Sequence, residues 1–280
     1  MDRHQPHKVI FHGARELISL VRRGAGKLKD KYIWTKEEVE EARGYLIYFR
    51  DTMKEENGQL FRTFFGESGD FFDLTPFARG YSARVLSFKT NISGQVKQWV
   101  LKVGFEYALI AYNGDPSEMG YTKEYQEYLD TLRKAVKKYE HLSRLLPEPQ
   151  VITFASLPSI DKEKKKGTTL AIQPLMHVVR PNALKKTITI EQKKELLTEL
   201  REFQNMSNYL VQHHEVGPEL VGEGNLEIVQ FGENEYHLML LDMGWVDMKK
   251  ILPITQTVNY FSTKFVINKL ETWLKSKVGQ

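Results

Sequence analysis

Apolar residues recur along this chain in a pattern that predicts two separate groups of strands with a helical segment between them. Alternating side chains and turn residues predict a first group at 83–89, 98–103, 151–155 and 168–176. The second group is a hairpin at 226–229 and 237–241. Strands that fall into two groups favour an α+β fold with two lobes and a cleft between them.

Apolar residues spaced by three or four positions predict the helices. The expected helical stretches are 8–65, 121–146, 190–210 and 260–277. Thr35 and Glu38 have the spacing of a capping box, which predicts a helix that begins at Lys36. The resulting division is an N-terminal helical extension over 1–70, a lobe with a hairpin, a helix and a sheet over 71–178, and a helical lobe with the second hairpin over 179–280.

Composition narrows the function classes. The chain has 280 residues and no cysteine, which excludes disulfides and cysteine-based zinc sites. No apolar run approaches the ~20 residues that span a bilayer, so we expect a cytoplasmic protein without a membrane span. The N-terminal region is locally basic, which leaves a nucleic-acid or membrane-surface protein as an alternative. The net charge of +4 is modest for that role, so nucleic acid is not the expected partner.

Lys102 lies within an apolar predicted strand, Val100-Leu101-Lys102-Val103. Burying its ammonium without a partner is unfavourable, so a phosphate or a carboxylate is expected beside it. The alternative is an edge-strand lysine that points to solvent. Glu140, near the end of the predicted helix 121–146, is one candidate partner, and Glu124 and Glu127 are others on the same helix.

Gly80 precedes the first predicted strand, in the run Gly80-Tyr81-Ser82. A glycine there lets backbone N–H groups approach a phosphate closely, although a plain turn glycine has the same signature.

Asn225 and Asp242 bracket the second predicted hairpin. Asn225 directly precedes one strand, and Asp242 directly follows the other and is itself followed by Met243-Gly244. Amide and carboxylate oxygens beside bound phosphates are suitable ligands for Mg²⁺. A turn-capping role for Asp242 is the alternative, because aspartate before a glycine is common in turns.

In this order, the motifs resemble those of the protein-kinase-like superfamily, in particular its small divergent members such as aminoglycoside and choline kinases. That family combines a glycine-rich hairpin, a strand lysine, a helix glutamate, a catalytic loop that ends in Asn, and an Asp-Phe-Gly magnesium motif. The resemblance covers about 77–244. It implies an ATP-Mg²⁺-dependent phosphotransferase whose acceptor, a protein or a small molecule, stays open.

The resemblance also implies a role for individual residues. The implied nucleotide contacts are Gly80, Ser82, Lys102, Glu140, Gln173, Leu175 and Met176, and the implied magnesium ligands are Asn225 and Asp242. The family's catalytic aspartate usually lies five positions before the Asn, where this chain has Leu220. Glu219 or Glu223 would then act as the base. A pseudokinase that serves as a nucleotide-binding or regulatory module is the alternative.

Overall fold

The structure is a computed structural model that describes residues 34–79, 83–104, 118–157, 166–184, 187–218, 225–241, 245–247 and 253–276. The helices are α1 (Lys36–Glu56), α2 (Gly58–Phe65), α3 (Glu118–Val136), α4 (Pro181–Leu184), α5 (Ile190–His214) and α6 (Pro253–Lys275). The strands are β1 (Phe71–Arg79), β2 (Ala83–Ile92), β3 (Gln95–Gly104), β4 (Val151–Leu157), β5 (Lys166–Pro174), β6 (Val216–Pro218), β7 (Leu226–Gly232), β8 (Glu235–Leu240) and β9 (Trp245–Asp247). The predicted α+β class is therefore confirmed.

The chain divides into two compact units. The sheet unit comprises the described residues within 28–127 and 148–175, and the hairpin unit comprises those within 128–147 and 176–280. Helix α3 contributes residues to both. The expected division at 1–70, 71–178 and 179–280 stays a prediction.

The sheet unit contains a five-stranded antiparallel sheet with the order β1-β2-β3-β5-β4. The predicted hairpin is confirmed as β2 and β3, which pair from Ala83 opposite Gly104 to Ile92 opposite Gln95. Ser93 and Gly94 turn between them with φ of 52° and 80°, the left-handed values that a two-residue type I′ turn requires.

The aromatic core of the sheet unit lies on one face of this sheet. Along β2, buried and partly buried residues alternate, and Leu86 and Phe88 are fully buried on the core side. Helices α1 and α2 supply Phe49 and Phe65 to the same core, where the Phe65 ring stacks on Phe88 at 6.2 Å between centroids. Helices α1 and α2 thus pack against the sheet.

Helix α1 begins where its sequence predicts. The Thr35 hydroxyl accepts from the Glu38 amide at 3.2 Å, and the Glu38 carboxylate accepts from the Thr35 amide at 3.1 Å. The two bonds satisfy backbone donors that the first helical turn leaves open, so the predicted capping box is confirmed.

Helix α3 ends ten residues earlier than the expected 121–146, at Val136. The amides of Lys138 and Tyr139 donate to the carbonyls three residues before them, which tightens the chain into a turn. A short 3-10 helix, Glu140–Leu142, follows. Apolar spacing continues through this turn, which explains why periodicity alone predicted an unbroken helix.

The hairpin unit is built on α5, which begins with a second capping box formed by Thr189 and Gln192. The helix extends to His214, four residues beyond its predicted end. The predicted hairpin is confirmed as β7 and β8, which turn at Glu233 and Asn234. A further antiparallel pair, β6 with β9, was not predicted. Within the part of the chain that the structure describes, no helix has the length and apolarity needed to cross a bilayer.

The core face of β2 gives a direct stability test. Replacing Phe88, which is fully buried, with Ala should lower the free energy of unfolding by about 3–5 kcal/mol, because it leaves a cavity among packed rings. Chemical denaturation followed by circular dichroism measures this change. The control is Phe77→Ala on β1, since Phe77 is 59% exposed. Equal effects of the two substitutions would contradict the assignment of the core face.

Candidate functional site

Lys102 lies on the central strand of the sheet, because β3 is hydrogen-bonded to β2 on one side and β5 on the other. It stands opposite Val85 of β2 and Ala171 of β5. Its neighbours Leu101 and Val103 are fully buried in the aromatic core, so the alternation of the strand places Lys102 on the opposite face. The lysine is only partly buried there. The alternative of an edge-strand lysine is therefore excluded.

Gln173 shares this second face of the sheet. It stands opposite Val100, two residues before Lys102, so the two side chains are near neighbours on adjacent strands. Gln173 and Val100 are buried, and the Gln173 carboxamide oxygen accepts from Gln150 Nε2 at 2.8 Å. We call this surface, with Val85, Val100, Lys102, Ala171 and Gln173, the lysine face. The structure thus brings together two of the predicted nucleotide contacts.

Leu175 and Met176 follow the end of β5. The Leu175 amide donates to the Gln98 carbonyl at 3.0 Å, which continues the ladder one residue beyond Pro174. In the hairpin unit, the His177 carbonyl accepts from the Gln230 amide at 3.0 Å. The nucleotide contacts predicted for Leu175 and Met176 stay predictions.

Glu140 does not lie on a long helix, and that expectation was wrong. It begins the 3-10 helix beyond α3, it is exposed, and it belongs to the hairpin unit whereas Lys102 belongs to the sheet unit. Glu124, by contrast, lies on the part of α3 that belongs to the sheet unit. It is partly buried, and one of its carboxylate oxygens is shielded from solvent.

Two polar contacts hold the first part of α3 against the sheet, on either side of Glu124 in sequence. The hydroxyls of Thr122 and Thr169 are hydrogen-bonded at 2.7 Å, and both residues are buried. Gln126 Nε2 donates to the carbonyl of Ile152 in β4 at 2.8 Å. These contacts attach the glutamate-bearing turn of the helix to the two strands beyond β3.

Asn225 is 8% exposed and lies immediately before β7. Its carbonyl accepts from the Leu241 amide at 2.8 Å, so the start of β7 and the end of β8 are adjacent. Asp242 is the next residue after Leu241. The magnesium role of Asn225 stays a prediction, because the structure shows only that its backbone lies beside Leu241.

Several predicted site residues lie outside the described residues: Gly80, Ser82, Glu219, Glu223 and Asp242. Their roles stay predictions. Among the residues that are described, no group of three or more carboxylate or imidazole side chains is arranged to hold a metal ion.

Sequence reasoning missed a buried carboxylate that joins α5 to the hairpin. Glu199 accepts from the Leu238 amide at 2.7 Å through Oε2 and contacts His237 Nδ1 at 2.7 Å through Oε1. The second ring nitrogen of His237 contacts Glu235 Oε1 at 3.1 Å. Glu199 lies three residues after Leu196 and four before Phe203, on the buried stripe of α5, and that spacing could have indicated its burial.

His237 can donate to both carboxylates only as the imidazolium, because a neutral ring has a single N–H. The hydrogen bond to Glu199 and, secondarily, the charge of Glu199 raise the pKa of His237 against the opposing effect of burial. The structure thus favours a charged histidine between Glu199 and Glu235. This contact fixes β8 on α5.

No protein-family model matches this chain, and no curated protein has a matching sequence. Its function is therefore inferred from its own residues and their geometry.

Because the pKa of His237 is higher in the folded state than in the unfolded chain, where it is about 6.5, protonated His237 stabilises the fold. This stabilisation is complete below the unfolded-state pKa and is lost as the pH rises through the folded-state pKa. Thermal unfolding monitored between pH 6 and pH 9 should therefore show a falling wild-type melting temperature, and a smaller fall for His237→Gln. The exposed-site variant His177→Gln is the control and should follow wild type. Parallel curves for wild type and His237→Gln would contradict the charged contact.

Proposed function

We propose that this chain binds ATP with Mg²⁺ on a protein-kinase-like fold and transfers the γ-phosphoryl group to an acceptor hydroxyl. The observation that carries the proposal is the position of Lys102 on β3, the third strand among the described residues, on the face of the sheet away from the core. In protein kinases, the lysine that contacts the ATP phosphates also lies on the third strand. A partly buried lysine on a central strand is suited to a phosphate ligand.

The order of elements around this lysine supports the same proposal. The predicted phosphate loop, with Gly80 and Ser82, connects β1 to β2 in the sequence, and β2 is the neighbour of the strand that carries Lys102. Helix α3 follows β3, as the glutamate-bearing helix does in kinases. Along the sequence, Asn225 lies between β6 and β7 and Asp242 lies between β8 and β9, which is the family's order of a catalytic-loop Asn followed by a magnesium Asp.

The chain's own residues would divide the work as follows. Lys102 would contact the α- and β-phosphates, and Glu124 is our preferred helix carboxylate to hold its ammonium, in place of Glu140. The base would lie near Leu175 and Met176, the partly buried residues that follow β5 beyond Gln173. Asn225 and Asp242 would hold Mg²⁺, which neutralises charge on the phosphates when bound. Because phosphoryl transfer depends chiefly on positioning and electrostatics, this set could supply much of the catalysis.

Leu220 favours a second candidate function. It occupies the position five residues before Asn225 where the family has a catalytic aspartate. A leucine cannot accept a proton, so Glu219 or Glu223 must replace that aspartate for turnover. If neither does, the protein is a pseudokinase that binds nucleotide and acts as a regulatory module. Hydrolysis or autophosphorylation of radiolabelled ATP by the full chain separates the two functions.

Calorimetric titration with Mg²⁺-ATP tests the proposal on the full chain. Lys102→Ala removes a charge-assisted hydrogen bond worth about 1.5–3 kcal/mol and should weaken binding about 10- to 100-fold. Asp242→Ala should weaken binding in Mg²⁺ but leave the affinity measured with EDTA unchanged.

The matched control is Lys97→Ala, which removes an exposed lysine from the same strand and should bind as wild type does. Absence of ATP binding by wild type would contradict the proposal outright. Equal affinities for wild type and Asp242→Ala in Mg²⁺ would remove the magnesium assignment. If wild type binds ATP but shows no turnover with any acceptor, and Glu219→Gln and Glu223→Gln behave in the same way, the regulatory module is favoured.

A further inference from the structure

A charged residue occupies a core position at the beginning of β2. The strand alternates, and its core-side positions are filled by Leu86 and Phe88, both fully buried. Arg84 is the preceding residue on that side and is only 8% exposed. The guanidinium of Arg84 therefore occupies the first core-side position of β2, which begins at Ala83.

The partner of this arginine is on α1. Arg84 Nη1 donates to Glu41 Oε2 at 3.3 Å, and the side chains are 9% and 21% exposed. Glu41 precedes Ala42, which is fully buried in the aromatic core, so this turn of α1 is packed against the sheet. The ion pair thus joins an N-terminal helix to the first residues of β2.

A largely shielded ion pair of this kind rarely stabilises a fold more than well-packed apolar residues do, because both charges lose part of their hydration. Its more specific effect is to impose one position on the elements that it connects, since a displaced guanidinium would lose its carboxylate. The pair is therefore better explained by what it positions than by stability.

The ion pair positions the first residues of β2, which lie next to Lys102. Arg84 pairs with Val103, and the next residue, Val85, pairs with Lys102 and lies on the lysine face. A shift of Arg84 along or across the strand would move Val85 against Lys102. Because Arg84 and Val85 are consecutive residues on opposite faces of β2, the contact of Arg84 with α1 on the core face also sets the position of Val85 on the lysine face.

We propose that Arg84 and Glu41 are positioning residues for phosphate binding: α1, through this ion pair, holds the beginning of β2 in register beside Lys102. The proposal rests on the proposed nucleotide-binding function. It assigns to the N-terminal helix a role in the affinity for the phosphates, separate from its contribution to the core.

The test compares Mg²⁺-ATP with adenosine, which lacks the phosphates, by calorimetric titration of the full chain. Arg84→Met should weaken ATP binding roughly tenfold, as expected for a small displacement of binding groups, and leave adenosine binding unchanged. Arg84→Lys should restore part of the lost affinity. Glu41→Gln, a gentler change on α1, should act in the same direction and serves if Arg84→Met does not fold.

Arg50→Met is the matched control, because Arg50 also lies on α1 and forms a local ion pair with its neighbour Asp51 at 2.8 Å. It should leave both affinities at the wild-type level. Wild-type ATP affinity in both Arg84→Met and Glu41→Gln would overturn the inference while leaving the proposed function intact. An equal loss of ATP and adenosine binding would also overturn it, since that pattern indicates general damage to the sheet. Failure of wild type to bind ATP would overturn both proposals.

Discussion

Hydrogen bonding of β3 to β2 on one side and to β5 on the other is the constraint on which the rest of the sheet unit depends. Because side chains alternate along a strand, the same ladder that commits Leu101 and Val103 to the core directs Lys102 to the opposite face. A slip of one residue would place the ammonium among phenylalanine rings, which is prohibitively unfavourable. The aromatic core and the lysine face are thus two consequences of one register.

The parts of the fold that sequence predicts well are those with local chemical signatures. The β2–β3 hairpin follows from alternation with a turn at Ser93 and Gly94, and α1 begins at the capping box of Thr35 and Glu38. Strand β1 was missed because it is irregular: Asp73 has a φ of 53° and the pairing with β2 shifts register twice. Such irregularities depend on the neighbouring strand, which periodicity in one segment does not reveal.

The candidate site shows the same limit. Lys102 could be selected from its apolar surroundings, and the adjacency of Asn225 with the strand end before Asp242 follows from the hairpin. The sequence could not decide which of Glu124, Glu127 and Glu140 is the partner of Lys102. Apolar spacing runs through the turn after Val136, so Glu140 was predicted to be helical. The Glu199–His237 contact was missed since its two members are 38 positions apart and meet only when β8 packs on α5.

The central claim is that the lysine face receives a nucleotide, with Lys102 at its phosphates. The most direct measurement is a crystal structure of the full chain with Mg²⁺ and a non-hydrolysable ATP analogue. Our account predicts the Lys102 ammonium within about 3 Å of an α- or β-phosphate oxygen, with the base near Leu175 and Met176. An analogue bound elsewhere, or a Lys102 ammonium with no phosphate contact in the bound state, would contradict it.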